Sequence, residues 1–430
     1  MGNRRNFIQQ VGTWVGVFAG QGLFQTLQAA DFARASAPLK GLSLDAVAVD
    51  EDYWSFVQQA YTVPSGLINL NNGGVSPSPQ VVQDAVEKYN KIANQGPSYY
   101  MWRILDQGRE PLRRQLAALA GADPEEIAIN RNATEALNTV IYGLPLQKGD
   151  EVVGTKQDYP NMIQAWKQRA LRDGVVYKQL NFDFPIENDQ TIVDAFAAAI
   201  TPRTKLLHLT HVINWVGQIL PVKKIADMAH AKGIEVLVDG AHSFGLLDFA
   251  VPALGADYFG TSLHKFLSAP IGSGMLWIKR EKIEKIWPLI CAEPSQSQNI
   301  RKFENLGTRS FPIEQGIGEA IHFHEAIGAA RKEARIRYLK DYWAGRAQSI
   351  PGVRLHTSLQ PAYSCAIAGV SIAGKTPAQI DQALWSKYHI HSVGIVWENI
   401  SCVRITPHVY TRLSDLDLLV KALAEIARSV

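Results

Sequence analysis

Three short segments carry side chains whose types and order suit covalent chemistry on a carbonyl compound. The run Val236-Leu237-Val238-Asp239-Gly240-Ala241-His242 is apolar and ends in a carboxylate. Gly260-Thr261-Ser262-Leu263-His264-Lys265-Phe266 brings an amine, and Gly272-Ser273-Gly274 follows it. An amine in a semi-buried setting has a lowered pKa and can form an imine with an aldehyde. A carboxylate ending a buried strand of an open α/β sheet lies where such sheets bind ligands. The third segment, Asn130-Arg131-Asn132-Ala133-Thr134-Glu135-Ala136, reads as a strand-to-helix turn. Its backbone N–H groups and helix dipole suit a phosphate, and the Thr134 hydroxyl adds a donor. Asn132 or Thr134 also suits a plain N-cap.

The elements that must position these groups follow from hydrophobic periodicity. From Ser76 onward strand and helix patterns alternate, as in a mostly parallel α/β sheet. Strands are expected at Glu126–Ile129, Glu151–Thr155, Lys205–His211, Ile234–Asp239 and Gly274–Ile278. The helix from Thr134 places Leu137, Val140, Ile141 and Leu144 on one face. Another, from Val222 to Ala231, ends at Lys232-Gly233. Around Pro312 the style changes to a long helical stretch reaching about Gly345. Short strands follow near Val353–His356, Ala366–Ile372 and Val403–Pro407, with helices near Pro377–Lys387 and Asp415–Arg428. At 430 residues two domains are expected. The division is a leader over 1–37, an extended N-terminal segment over 38–75, a large α/β domain over 76–311 and a small α+β domain over 312–430.

A phosphate turn, a ring-facing acid and an amine, in this order, are the requirements of pyridoxal 5′-phosphate (PLP). On these residues the chain resembles class V enzymes of the PLP-dependent aminotransferase type I fold, from the Asn71-Asn72-Gly73-Gly74 turn to the C-terminal helix. The pattern Ser-x-His-Lys stands here as Ser262-Leu263-His264-Lys265. The resemblance implies that Lys265 is the Schiff-base lysine, with Ser262 and His264 as phosphate contacts. Ala133 and Thr134 match the phosphate turn, Asp239 the pyridinium partner, and His242 a contact on the cofactor O3′ side. Asn214, in His211-Val212-Ile213-Asn214, matches an Asn near O3′ and the substrate. Tyr159 falls where the family stacks a ring on the cofactor. Gly307-Thr308 matches the segment that reaches the partner's phosphate in family dimers. Arg404 matches the small-domain arginine that clamps the substrate α-carboxylate.

Within the family, desulfurases carry a nucleophilic cysteine on a loop shortly before that arginine. The corresponding loop, His391 to Ile400, has none, which disfavours sulfur transfer. Cys402 is expected on the strand itself, on the same face as Arg404. The segment Pro97-Ser98-Tyr99-Tyr100-Met101-Trp102-Arg103 and the Asn71–Gly74 turn resemble the isopenicillin N epimerase branch. This implies Asn72 and Arg103 as substrate contacts, with Tyr100, Trp102 and Arg103 lining a substrate channel; an interfacial helix with Arg103 in a dimer salt bridge is the alternative. Aminotransferase-type chemistry on an amino acid, or on the amino-acid moiety of a peptide, is expected. Epimerisation and C–S bond cleavage remain open on the same scaffold, and a non-enzymatic sensor would not need Lys265 and Asp239.

Composition sets the outer bounds. Lys plus Arg (43) against Asp plus Glu (40) leaves a net charge of +3, too balanced for a nucleic-acid or membrane surface. The three cysteines, Cys291, Cys365 and Cys402, make neither a zinc spacing nor a disulfide framework and are expected to be buried. No metal is expected. The opening Arg4-Arg5-Asn6-Phe7-Ile8, the mildly apolar Val11–Leu27 stretch and Ala35-Ser36-Ala37 before Pro38 resemble a twin-arginine export signal. Ala29-Ala30 offers a second cleavage site. The apolar stretch makes a poor membrane anchor. The expectation is a periplasmic homodimer, exported folded around its cofactor.

Overall fold

The computed structural model describes residues 29–429. The strands of the first two-thirds are β1 (Ile68–Asn69), β2 (Ile127–Asn130), β3 (Glu151–Thr155), β4 (Val176–Leu180), β5 (Thr204–Thr210), β6 (Glu235–Asp239), β7 (Tyr258–Ser262) and β8 (Gly274–Ile278). Seven of them form one sheet in the order β2-β8-β7-β6-β5-β3-β4. The pairs among β4, β3, β5, β6 and β7 are parallel, whereas β8 runs antiparallel to both neighbours. Because helices cover both faces, these strands read as nearly unbroken apolar runs. Alternate residues still feed opposite layers: Val236 and Val238 enter one core, Leu237 the other. Leu207 and Leu209 against Leu206 repeat the division on β5.

The last third adds β9 (Val353–Leu355), β10 (Ala368–Ile372), β11 (Ile390–His391), β12 (Val393–Trp397) and β13 (Ile400–Ile405). Four of them form an antiparallel sheet in the order β12-β13-β10-β9. Helices Ala329–Ala347, Pro377–Tyr388 and Leu413–Arg428 cover it around a third core that includes Leu339, Trp343, Ile380, Leu419 and Leu423. Helix Pro377–Tyr388 starts at a capping box in which Thr376 and Gln379 satisfy each other's backbone N–H.

Several boundaries differ from expectation. The N-terminal segment is largely helical, at Leu44–Ala48 and Glu51–Gln58, because Ser43 and Asp50 are N-caps that accept from Ala46 and Tyr53 N–H. Its end pairs in parallel with the small domain, β1 on β11, and Leu70 is part of the third core. The long helical stretch is two helices, Phe311–Ile327 and Ala329–Ala347, broken at Gly328, whose φ of +91° only glycine adopts easily. The first of them supplies Ile317, Ala320 and Ile321 to the large-domain core. Strands β4 and β7 were not foreseen, because β4 has a half-exposed polar pattern and β7 a small-residue end.

The presumed loop between His391 and Ile400 is instead the hairpin β12–β13, turned by Glu398 and Asn399 with Glu398 at φ +50°. Of the cysteines, Cys365 and Cys402 are buried as expected, but Cys291 is exposed. Arg4-Arg5 and the Val11–Leu27 stretch lie outside the described residues. Ala35 and Ser36 end the helix Ala29–Ser36, which places Phe32 edge-on against Phe56 and Phe323 in the core. Among the described residues no helix is long and apolar enough to cross a membrane.

Candidate active site

The site is built at the carboxyl edge of the parallel strands. The chain crosses from β3 to β4 on one side and from β5 to β6 and β7 on the other, leaving a crevice where the order reverses. Thr210 and Asp239, register partners at the ends of β5 and β6, face this crevice together with Ser262 at the end of β7. A cavity of about 420 Å³ opens there. Its walls hold Ala133, Thr134, Tyr159, Asn214, Asp239, His242, Ser262, His264, Lys265 and Arg404, ten of the residues expected from sequence.

Lys265 lies just beyond β7, with Nζ 3.1 Å from His242 Nε2. Burial draws its pKa down to about 8, opposed by Asp239 and reinforced by Arg404. His242 Nε2 also lies 2.7 Å from the Gly73 carbonyl oxygen. A single ring nitrogen cannot serve both: protonated it donates to Gly73, unprotonated it accepts from Lys265. Burial, with Lys265 and Arg404 nearby, holds His242 well below the usual imidazole pKa, so the ring is neutral. The Asp239 carboxyl is raised by burial, while the Ala241 N–H at 2.9 Å and Lys265 favour its charged form.

At the opposite wall, helix Ala133–Gly143 begins with Asn132 as N-cap, its side chain accepting from Glu135 N–H. The Ala133 N–H donates to Ser262 Oγ at 2.9 Å, which leaves the serine hydroxyl hydrogen available to a ligand. A Cβ at Gly274 would stand 2.5 Å from Asn132 N, so the turn approaches β8 this closely only because that residue is glycine. His264 is held by Nδ1 to the Ser273 carbonyl at 3.1 Å.

Arg404 projects from β13 into the cavity, directly across the strand pair from Val393. Its guanidinium donates to the Asn214 carbonyl at 3.0 Å and to Asn71 Oδ1 at 2.8 Å, and Nε has no partner. Burial lowers its pKa to about 10, and only Cys402 and Tyr159 act against that. Among the described residues no carboxylate pairs with this buried cation.

Not every expected residue reaches the cavity. Asn72 is fully buried and structural: its amide donates to the Asn69 and Thr406 carbonyls and accepts from Tyr410. Its neighbour Asn71 contacts Arg404 instead, which the shared turn motif could not distinguish. Arg103 lies in an exposed π-helical turn, Tyr100–Ile104, and is not part of the cavity wall. Thr308, expected to serve a partner subunit's phosphate and not its own cavity, is exposed on the surface beside Gly307. Sequence reasoning missed Trp215, Val393 and Ile395, which form an apolar wall. The two β12 residues were hidden by reading that stretch as loop, although their i, i+2 spacing signals a strand face.

Residues 68–414 match the family model described as Aminotransferase class-V. The chain belongs to the class V aminotransferase family. It is 28% identical to the isopenicillin N epimerase of Amycolatopsis lactamdurans over 87% of this chain and 99% of that one. It is 32% identical to a probable cysteine desulfurase of Mycobacterium leprae (strain TN) over 74% of this chain and 54% of that one. A solved structure of a C-DES mutant with glycine covalently linked to its PLP cofactor shares the fold, with a TM-score of 0.78 at 22% identity. That match covers 86% of this chain and 99% of the other.

The class V chain is a PLP-dependent enzyme, and its residues fit the cofactor. Asn214 Oδ1 is buried in the wall with no partner among the described residues, as suits an oxygen awaiting a hydroxyl donor. The phosphate end has a helix N-terminus with the Thr134 and Ser262 hydroxyls, the ring end has Asp239, and the reactive end has Lys265. Among the described residues no His, Cys, Asp and Glu group could hold a metal ion.

Proposed function

We propose that the protein acts on an amino acid, or on the amino-acid moiety of a peptide, by aminotransferase-type proton transfer at Cα. The observation that carries this reading is Arg404, a buried guanidinium turned into the cavity with no carboxylate partner among the described residues. An α-carboxylate from the substrate completes it through a bidentate pair. PLP, when bound, supplies the electron sink that makes the Cα–H bond acidic. Asp239 holds the proton at the ring nitrogen. Lys265, with its pKa near 8, takes the Cα proton and returns it. Lys265 is the one lysine among the described lining residues and can serve as base at both ends of the proton shift of a transamination. The wall of Trp215, Val393 and Ile395 is uncharged, which favours a substrate side chain without charge.

A panel of amino acids and aminoacyl peptides, with absorbance monitoring and mass analysis of products, tests the reading. A keto product with amino-form cofactor is expected, and acidic side chains should react poorly. Inverted but otherwise unchanged substrate would replace transamination by epimerisation, the second reading, favoured by the full-length match to the Amycolatopsis epimerase. Released thiol would indicate a lyase. No reaction with any α-carboxylate compound would sink the proposal.

The same reading includes a homodimer and export to the periplasm by the twin-arginine pathway. Exposed Trp287, Leu289, Ile290 and Trp102 support the dimer, as apolar surface a second subunit can cover. Cleavage near Ala30 rather than Ala37 leaves Phe32 in the core. Replacing Arg4-Arg5 by Lys-Lys should trap the protein in the cytoplasm, and N-terminal sequencing of the exported form locates the cut. Unchanged periplasmic yield would refute the export assignment, and a monomer by light scattering would refute the dimer.

A further inference from the structure

Behind the turn that carries Lys265 lies a polar cluster with no part in the chemistry above. The turn is irregular backbone: Ser268 N–H bonds the Lys265 carbonyl at 3.0 Å, and Ser268 sits at φ +59°, unusual for a residue with a side chain. Its flanking carbonyls have no ladder or helix to satisfy them. The Phe266 carbonyl, one residue past Lys265, accepts from Lys332 Nζ. Lys332 comes from helix Ala329–Ala347 and is 2% exposed. Its amine also lies 3.4 Å from His324 Nδ1 on the preceding helix. His408, beyond β13, stacks on the Phe266 ring at 6.0 Å and approaches Ser268 Oγ at 3.3 Å. Lys332 and His408, from two separate elements, thus both bond the Phe266 backbone, and His324 from a third meets the Lys332 amine.

Lysine is an odd choice here. A buried amine without a counter-ion is among the less favourable groups a core can hold. Burial alone acts on it, drawing its pKa to about 7, and no acid opposes that. A residue kept merely for packing would be apolar, since Phe266 and Leu267 around it are fully buried. What Lys332 adds over an apolar side chain is a second hydrogen bond, beside that of His408, to the carbonyl adjacent to the reactive lysine. We propose that Lys332 is a positioning residue: it fixes the Phe266 carbonyl and thereby the direction in which Lys265 enters the cavity. The inference rests on the assignment of Lys265 as the lysine that binds PLP. The Lys265 amine is buried and faces Asp239, Arg404, His242 and His264, and Lys332 is not among the groups acting on it. Removing Lys332 therefore reaches Lys265 through geometry rather than through charge.

The test is Lys332→Met in the PLP-loaded full chain, with Lys332→Gln beside it, read by the pH midpoint of the visible absorbance band and by PLP retention. The Met variant should shift the midpoint by about one pH unit and weaken PLP retention about tenfold, each a change of about 1.4 kcal/mol. Gln, which keeps a donor of shorter reach, should fall between the Met variant and wild type. If the Met variant does not fold, the Gln variant alone carries the test, with the same sign of shift. A purely structural Lys332 lowers the melting temperature while leaving midpoint and PLP retention at wild-type values in whichever variant folds. That outcome overturns the proposal. A wild-type protein with no visible band at all would instead overturn the assignment of Lys265.

Discussion

Two buried guanidinium groups, Arg113 and Arg404, receive opposite treatment from the fold. Arg113, 1% exposed, meets Glu304 through NH1 at 2.5 Å and NH2 at 2.9 Å, and Glu110 lies beside it. Burial works against its charge, yet Glu304 and Glu110 hold its pKa above the ordinary value. Glu304 also accepts from Ile129 N–H, so the cluster fastens β2 to the segment before the small domain. Arg404 is nearly as buried but meets only a carbonyl and an amide oxygen, and its pKa falls. A charge compensated within the chain serves the fold, whereas an uncompensated one is tolerated because a ligand brings the missing partner. Lys265, drawn to about 8 at the same cavity, belongs with Arg404.

The sharpest test removes the uncompensated amine. Lys265→Ala should lower turnover by about 10⁴-fold, the upper range for losing a positioned base together with the covalent anchor. Its melting temperature, measured without cofactor, should stay level or rise, since a buried amine is gone. Turnover within tenfold of wild type would place Lys265 on the structural side of the comparison.

Next, Arg404→Met and Arg113→Met should separate in opposite directions. Loss of the clamp should lower kcat/KM about a hundredfold or more, as when one partner of a buried charge pair is truncated, with little change in melting temperature. Loss of Arg113 leaves Glu304 with Arg109, at 3.2 Å, and should cost about 1.5–3 kcal/mol of folding stability, with turnover per folded molecule unchanged. Denaturant titration and steady-state kinetics on both variants check this. If Arg404→Met destabilises as much as Arg113→Met, the distinction between the two fails.

How much of this was legible in sequence depends on how local each signal is. The Lys265 motif, Asp239 and the Ala133-Thr134 turn were readable because each is a contiguous string whose residue types are dictated by one ligand. The buried strands were readable too, since an apolar run such as Val236-Leu237-Val238 admits few other uses. Arg404 was placed only by resemblance; nothing in Val403-Arg404-Ile405 says that no acid lies opposite, because the missing partner is a fact of tertiary structure. Asn71 and Asn72 are chemically identical neighbours, and only the fold turns one to Arg404 and the other to Tyr410. The hairpin at Glu398-Asn399 was read as loop because its positive-φ turn uses Glu, where glycine or asparagine would have signalled it. Lys332 lies 67 positions from Lys265 and carries no signal short of the packed structure.

The smallest effect concerns pH, and it separates the two kinds of cation without any substrate. Lys265 titrates near 8 in the folded chain against an ordinary 10.5. Between those values the unfolded chain binds more protons than the folded one, so the stability of the cofactor-free protein rises with pH through that window. From pH 8 to 9.5 the contribution amounts to about 2 kcal/mol, at roughly 1.4 kcal/mol per unit. Below pH 8 both states are protonated, and the penalty is full and constant. Lys302 and Lys332 are also drawn down, to about 8 and about 7, and add slopes of the same sign. The informative quantity is therefore the difference between wild type and Lys265→Met, measured by denaturant titration at several pH values. The variant should be the more stable at pH 8, and its advantage should shrink as pH approaches 9.5. Arg113, whose pKa is raised, contributes no slope in this range, so Arg113→Met should run parallel to wild type. Parallel curves for Lys265→Met as well would mean that the fold compensates Lys265 as fully as it compensates Arg113, and the contrast between them would collapse.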